Sequence, residues 1–214
     1  MDRKPDRAQI ALQTRDRLLV ATEMLVVRDG VVSLSVRRIA GEAGVNSALI
    51  RYHFGDTDGL LRELAHLNAA RITDLRNQLL DALEAKAEPD FIASVDALVL
   101  PLWTSAAMSE QHRAIVVLDE IFARAGPSLQ EEIWAGFAQG VRRVSLALQQ
   151  ALGCADGPAL AWRIRFVTAA ALDIPPRSSR VDENRRSAIY GLDTPSERLE
   201  QFRIFAQQAI LALR

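Results

Sequence analysis

Apolar residues recur at three- and four-residue spacing along nearly the whole chain, which is the period of an α-helix. The first clear stripe consists of residues that share one helical face ahead of Gly30: Leu18, Ala21, Thr22, Leu25 and Val26. No segment alternates apolar and polar residues as a half-buried strand does. The pattern therefore predicts an all-α protein.

The N-terminal stripes predict short helices separated by tight turns. A polar residue suited to capping precedes each of the first four: Thr14, Ser35, Asn46 and Asp56. The second and third helices are joined by a turn of about four residues that contains Gly44, which is the layout of a helix-turn-helix. The fourth helix is expected to run to about Ala85. We predict an N-terminal three-helix domain with a helix-turn-helix over residues 1–60.

The pattern in the rest of the chain, residues 61–214, predicts a larger helical domain. Its helices are expected to open near polar or proline residues: Pro89, Ser109, Ser128, Asp156 and Thr194. The segment 173–193, DIPPRSSRVDENRRSAIYGLD, has two prolines and eight charged residues and no helical period. It predicts a mobile loop before the last helix.

The composition narrows the class of protein. The 214 residues are 49% hydrophobic and 25% charged, which is ordinary for a soluble globular protein. The single cysteine, Cys154, excludes a disulfide within the chain. No apolar run approaches the roughly 20 residues that span a bilayer, and the charged N-terminus does not resemble a signal peptide. We expect a cytoplasmic protein with no membrane partner.

Charge is distributed unevenly along the chain. Residues 1–55 contain nine Arg and Lys against six Asp and Glu, a net charge of +3, whereas the remaining residues carry −4. A basic N-terminal part on an acidic body is typical of a protein whose N-terminal part meets a polyanion. This asymmetry favours a nucleic acid as the partner.

The stretch RRIAGEAGVNSALIRYHF, residues 37–54, contains side chains suited to base edges. In a helix-turn-helix the second helix enters the major groove by its N-terminal end. Ser47 and Ala48 are small enough for close approach, and Leu49 suits the methyl group of thymine. The planar fork of Arg51 matches the O6 and N7 atoms of guanine.

The end of the same helix contains side chains suited to the DNA backbone. Tyr52 and His53 present polar tips on flat rings, which fit phosphate oxygens. A second interpretation is a simple helical corner, in which Arg51 is only solvated and Tyr52 belongs to the core.

The longer segment LSVRRIAGEAGVNSALIRYHFGDTDGLL resembles the DNA-binding domain of the TetR family of transcriptional regulators. The family pattern is a capped helix ending in Ile-Ala, then Ala-Gly-Val, a short recognition helix and an aromatic-His-Phe end. The resemblance implies a homodimer that binds double-stranded DNA at a palindromic operator. It also implies that the helical body, residues 61–214, is an effector-binding and dimerisation domain with a pocket for a small molecule. A repressor is the commonest form that this implies.

The resemblance also assigns DNA contacts position by position. Base contacts fall to Arg37, Ser47, Ala48, Leu49 and Arg51. Phosphate contacts fall to Ser35, Arg38, Tyr52, His53 and the start of the fourth helix at Thr57. The family usually has Lys at position 57 and commonly Tyr or Asn at position 51, so this chain is expected to lack one phosphate contact and Arg51 to grip either a base or a phosphate.

The body offers candidates for two further sites. Large apolar residues at helical spacing are candidates for a ligand pocket, although such residues more often form plain core: Trp103, Phe122, Trp134 and Phe137. Apolar stripes on the last two helices are candidates for a dimer interface: Ile164, Val167, Phe202, Ala206, Ala209 and Ile210. The same stripes could instead pack inward on their own chain.

Catalytic and metal chemistry find little support. His66, His112 and Cys154 lack the spacing of metal ligands, and no nucleotide loop or catalytic triad stands out. We expect no enzyme activity, no metal and no cofactor. Two functions therefore stay open: a ligand-responsive regulator, or a DNA-tethered protein whose body binds a protein partner. An apolar cavity in the body would favour the first, and an exposed apolar patch away from the dimer interface would favour the second.

Overall fold

The computed structural model describes residues 7–86, 88–107, 114–153, 157–178 and 195–212, and these ranges contain helices and no strand. The α-helices are α1 (Arg7–Asp29), α2 (Val36–Ala43), α3 (Ala48–Phe54), α4 (Thr57–Glu84), α5 (Phe91–Ala107), α6 (Ala114–Phe122), α7 (Pro127–Leu152), α8 (Gly157–Ser178) and α9 (Pro195–Leu211). A short 3-10 turn, Val31–Ser33, joins α1 to α2. The all-α prediction is confirmed.

Polar caps start the helices around the N-terminal turn, as the sequence predicted. The Ser35 hydroxyl accepts a hydrogen bond from the Arg38 amide at 3.2 Å. The Asn46 side chain accepts from the Ala48 amide at 2.8 Å, and Asp56 accepts from the Gly59 amide at 2.7 Å. Each bond satisfies an amide that the first turn of a helix leaves without a backbone partner.

Two predicted helix boundaries are wrong. Helix α1 begins at Arg7, so Thr14 lies inside it, where its hydroxyl donates to the Ile10 carbonyl at 2.9 Å and leaves the helix intact. Helix α8 continues to Ser178, past the expected start of the loop at residue 173. Proline holds φ close to the helical value, so a helix can continue through it at the loss of one backbone hydrogen bond. The remainder of the predicted loop lies outside the described residues, as do His112 and Cys154.

Helix α4 connects the N-terminal helices to the body. It packs against α3 at its start and against α5, α6 and α7 further along, and the predicted domain boundary at residue 60 falls inside it. The Arg71 side chain joins it to α1 by hydrogen bonds to both carboxylate oxygens of Glu23, at 2.9 and 3.1 Å, and to Asn68. Because Glu23 and Asn68 are buried, this network fixes α1 on α4. Within the described ranges, no helix has the length and apolar character that crossing a bilayer requires.

Candidate nucleic-acid interface

The turn between α2 and α3 is set by Gly44 and by an arginine from α1. Gly44 has φ of 62°, in the left-handed region that glycine adopts without a steric penalty. The Val45 amide then bonds back to the Ala40 carbonyl at 3.0 Å. Arg17 donates to the Ala43 carbonyl at 2.6 Å and to the Gly44 carbonyl at 3.3 Å. A cation at the C-terminal end of α2 satisfies free carbonyls and interacts favourably with the helix dipole, so Arg17 fixes the turn on α1.

Helix α3 is held against α4 by an unusually close backbone approach. A Cβ atom at Gly59 would lie 2.1 Å from the backbone oxygen of Phe54, the last residue of α3. The Arg15 guanidinium lies over the Phe54 ring, with its Cζ atom 5.5 Å from the ring centroid. Ile50, which is buried, faces the core from the middle of α3. These contacts fix the orientation of the recognition helix relative to the body.

We expect Gly59→Ala to displace α3 and to weaken DNA binding at least tenfold. A backbone oxygen cannot yield as a side chain can, so the added methyl must push α3 and α4 apart. Gly136→Ala in α7 is the matched control, because nothing lies within 4 Å of the added atom there and alanine favours a helix. Duplex-binding titrations with both variants check this, and equal affinities for DNA would contradict the tight joint.

The exposed face of α2 and α3 presents two free guanidinium groups. Arg37 and Arg51 are exposed, and neither has a hydrogen-bond or ion-pair partner in the part of the chain that the structure describes. Ser47 and Ala48 are exposed beside them at the N-terminal end of α3. Leu49 is half-buried and packs partly on the core. The face therefore combines small residues with unpaired cationic donors, as a groove-reading surface requires.

Tyr52 lies on the surface and not in the core. Its side chain is 76% exposed, and its ring stands edge-on to His53 with centroids 4.9 Å apart. His53 itself is half-buried at the C-terminal end of α3. The simple helical corner required Tyr52 in the core, so its exposure removes that interpretation's main support.

Arg38 and Ser35 differ from the free arginines because they already have partners. The Arg38 guanidinium donates to Asp29 at 2.6 Å and to the Ser33 carbonyl at 2.9 Å. Hydrogen bonds from Arg28 and then from Arg38 hold the pKa of the Asp29 carboxyl below its usual value. A phosphate would have to compete with Asp29 for Arg38, whereas it would meet Arg37 unopposed.

The start of α4 is acidic. Thr57 is the first helical residue and is half-buried between the exposed Asp56 and Asp58. Both carboxylates favour the positive end of the helix dipole but repel a phosphate. The structure therefore puts a neutral side chain and two negative charges where the resemblance expects a lysine.

The body contains an apolar cavity of about 180 Å³ between α4, α5, α6, α7 and α8. Three of the four predicted pocket residues line it: Phe122, Trp134 and Phe137. Trp103 is not among its lining residues, since it is buried and stacked on Phe202 with ring centroids 5.2 Å apart. Sequence reasoning missed Arg76, which also lines the cavity, because a single arginine within a helical stripe gives no signal of its surroundings.

The residues predicted for a dimer interface lie inside the chain. Ile164, Val167, Phe202, Ala206 and Ile210 are buried in the core of their own chain, and Ala209 is half-buried against it. The packing of α8 and α9 on α5 and on each other accounts for this burial. These side chains therefore pack inward on their own chain, which is the second of the two arrangements that the sequence left open.

A different apolar face of α8 and α9 is open to solvent. Trp162 and Phe166 of α8 are 59% and 61% exposed, with ring centroids 5.7 Å apart, and Phe205 of α9 is 51% exposed. Arg163, between the two α8 rings in sequence, donates to backbone carbonyls of α9 at Ala209 and Ala212. The two helices are thus joined, with aromatic side chains on their outer side.

The N-terminal helices match a known family of bacterial proteins. Residues 18–64 fit the sequence profile of the bacterial regulatory proteins of the tetR family. The HTH-type transcriptional regulator BetI of Cronobacter sakazakii is 32% identical over 89 residues, which cover 41% of each chain. BetI of Stenotrophomonas maltophilia is 28% identical over 108 residues, which cover 46% of this chain and 55% of the relative. The chain thus spans about half the length of these curated relatives, or less.

The likeness to solved structures extends over nearly the whole chain. A TetR family transcription regulator from Marinobacter aquaeolei has a TM-score of 0.64 at 17% identity, covering 94% of this chain and 97% of its own. NalD, described as the secondary repressor of the MexAB-OprM efflux pump in Pseudomonas aeruginosa, has a TM-score of 0.60 at 18% identity, covering 94% and 96%. At such identities the likeness shows the fold alone. The profile match over residues 18–64 and the curated relatives place the N-terminal helices of this chain in the TetR family, whose members are DNA-binding transcriptional regulators and not enzymes.

Proposed function

We propose that this protein is a ligand-responsive repressor that binds a palindromic operator as a homodimer and acts in the cytoplasm. The observation that carries the proposal is the pair of free guanidinium groups, Arg37 and Arg51, on the exposed face of a braced helix-turn-helix. A buried arginine could not reach DNA, and one paired with a carboxylate would have to exchange that partner for a base or a phosphate. The partner that this surface fits is double-stranded DNA.

Dimerisation follows from the small size of the reading surface. One short helix reaches only a few base pairs, and dimers of helix-turn-helix proteins place two such helices about one helical turn apart. The open aromatic face of α8 and α9, with Trp162, Phe166 and Phe205, is the apolar surface that a second copy would cover. Since this patch is the proposed interface itself, it gives no support to a separate protein partner.

Ligand response is supported by a direct link between the cavity and the DNA-binding helices. Helix α6 lines the cavity through Leu118 and Phe122, and its Glu120 accepts a hydrogen bond from the Val31 amide at 3.1 Å. Val31 begins the 3-10 turn that leads into α2. A ligand that shifts α6 would therefore move the start of the helix-turn-helix. The ligand lowers operator affinity if it stabilises an orientation of the helix-turn-helix that does not fit the operator.

We expect Arg51→Ala to weaken binding to the preferred operator by about 1–3 kcal/mol and to relax one base position in each half-site. The operator is first obtained by selecting bound sequences from random duplex DNA. Arg142→Ala, which removes an exposed arginine of α7, is the control and should leave operator affinity unchanged. If Arg51→Ala lowers the affinity for the operator and for random duplex DNA by the same factor, Arg51 contacts a phosphate and not a base.

A further inference from the structure

Arg76 is a buried cation with most of its donors unused. It lies in the middle of α4 and is 3% exposed, and no carboxylate forms an ion pair with it among the described residues. The one hydrogen bond that it forms to the described residues runs from Nε to the Ala97 carbonyl at 3.4 Å. The burial lowers the pKa of Arg76 to about 10, since leaving water disfavours the charged form. The guanidinium is nevertheless charged at neutral pH.

A purely structural role accounts for only one of the five donors. Pro101 lies within α5 and has no amide hydrogen, so the carbonyl four residues earlier, at Ala97, lacks its helical donor. The Arg76 Nε replaces that donor. The four N–H groups on the two terminal nitrogens have no such explanation, and a buried charge that is not paired is costly.

The position of the Arg76 side chain is set by the helix on its other side. A Cβ atom at Gly140 of α7 would lie 3.0 Å from the Arg76 Cδ, so glycine leaves the space that the arginine stem occupies. Arg76 lines the 180 Å³ cavity together with apolar side chains from three other helices, α5, α6 and α7. The remaining polar groups at the cavity are Thr168 and Asp119, and Asp119 is exposed to solvent.

We propose that this cavity binds a small monocarboxylic acid with an apolar body, and that Arg76 holds its carboxylate. The inference rests on the proposed function and specifies the effector class of that regulator. A carboxylate matches the guanidinium fork with two parallel hydrogen bonds, and these are strongest away from water. Asp119 repels an anion less than Arg76 attracts it, because water screens the exposed carboxylate. The cavity thus selects a ligand that is charged at its inner end and apolar along its walls.

The cavity volume limits the size of the acid. A protein cavity of roughly 150 Å³ holds one benzene ring. The 180 Å³ here therefore fits one ring with a carboxylate, or a short alkyl chain with one. Benzoate and hexanoate are the probes of this size and charge, and benzamide and hexanamide are their neutral counterparts.

The experiment compares each acid with its amide by titration calorimetry on the full chain. The wild-type protein is expected to bind benzoate roughly tenfold more tightly than benzamide, or more, since hydrogen bonds between charged groups are about twice as strong as neutral ones. In Arg76→Met, which keeps the volume without the charge, the ratio of acid to amide affinity should fall to one or below while benzamide still binds, because the carboxylate would then be buried without a partner. Arg143→Met is the control: Arg143 pairs with Asp81 and Glu84 away from the cavity, so its loss should leave benzoate affinity unchanged.

Equal affinity of the wild-type protein for acid and amide, or absence of acid binding, would overturn the inference without reference to any variant. Undiminished benzoate binding by a folded Arg76→Met would do the same. Operator binding is measured in parallel and answers a separate question. Arg76-dependent acid binding that leaves operator affinity unchanged would refute the proposed ligand response and uphold the site, whereas selective DNA binding without any acid binding would refute the site alone.

Discussion

Substituting glutamate for Phe202 is expected to unfold the helical body and not to yield a folded monomer. Phe202 of α9 is buried where this helix packs on α5, and its ring stacks on that of Trp103 of α5 at an interplanar angle of 19°. Removing a buried phenylalanine ring alone costs about 3–5 kcal/mol, and the carboxylate adds the cost of burying a charge without a partner. We expect the free energy of unfolding to fall by more than about 4 kcal/mol, measured by chemical denaturation and circular dichroism.

The control for Phe202→Glu is the same kind of change at an exposed position. Leu146 of α7 is 52% exposed, so Leu146→Glu should change the free energy of unfolding by less than about 1 kcal/mol. A Phe202→Glu variant with wild-type stability would show that the α9 stripe does not belong to the core. It would then restore that stripe as the surface for a second chain.

The fold of the N-terminal helices could be predicted because its signals are local. Ser35, Asn46 and Asp56 cap helices through bonds to amides two or three residues further on, and a sequence window displays both partners. Gly44 is also a local signal, because glycine adopts the left-handed conformation of this turn without a steric penalty. The start of α1 was missed for the opposite reason: Thr14 resembles a cap, and only contacts along the preceding turn show that the helix is already formed.

The two sides of α8 show what periodicity alone cannot resolve. Leu160, Ile164 and Val167 form a stripe that packs inward, while Trp162 and Phe166 form a second apolar face that points outward. A helix with two apolar faces has no single direction for its core, so the sequence alone could not say which face is buried. In the folded chain the stripe with Ile164 is buried and the face with Trp162 and Phe166 is exposed. The candidate dimer interface is therefore the exposed aromatic face.

The sequence also gives no indication of the long-range contacts that single charged residues form. Arg17 bonds to carbonyls 26 and 27 residues away, and Arg76 meets the orphaned Ala97 carbonyl 21 residues away. Neither spacing belongs to a recognisable motif. Pro101 is visible in the sequence, but the contact between Arg76 and the Ala97 carbonyl depends on the packing of α4 against α5.

The double substitution Trp162→Glu and Phe166→Glu is expected to convert the proposed dimer into folded monomers. The two side chains lie one helical turn apart on α8, and a two-fold axis at this face would bring the rings of both copies together. Aromatic residues bury about 150–250 Å² each at an interface, whereas four like charges on the same area repel. Sedimentation at micromolar concentration should show a dimer for the wild-type protein and a monomer for the variant, with unchanged helical content.

Loss of the dimer should abolish high-affinity operator binding although no DNA-contacting residue is altered. In a dimer the second helix-turn-helix binds from an effective concentration set by the first, which strengthens binding by roughly 10²–10⁴-fold without any new contact. The monomer is therefore expected to bind a full operator no more tightly than a half-site. Leu146→Glu, at a side chain of α7 that is 52% exposed and does not line the cavity, should remain dimeric and keep its operator affinity. A double variant that still sediments as a dimer would place the interface on another face, and a monomer that keeps full operator affinity would remove the reason for requiring two copies.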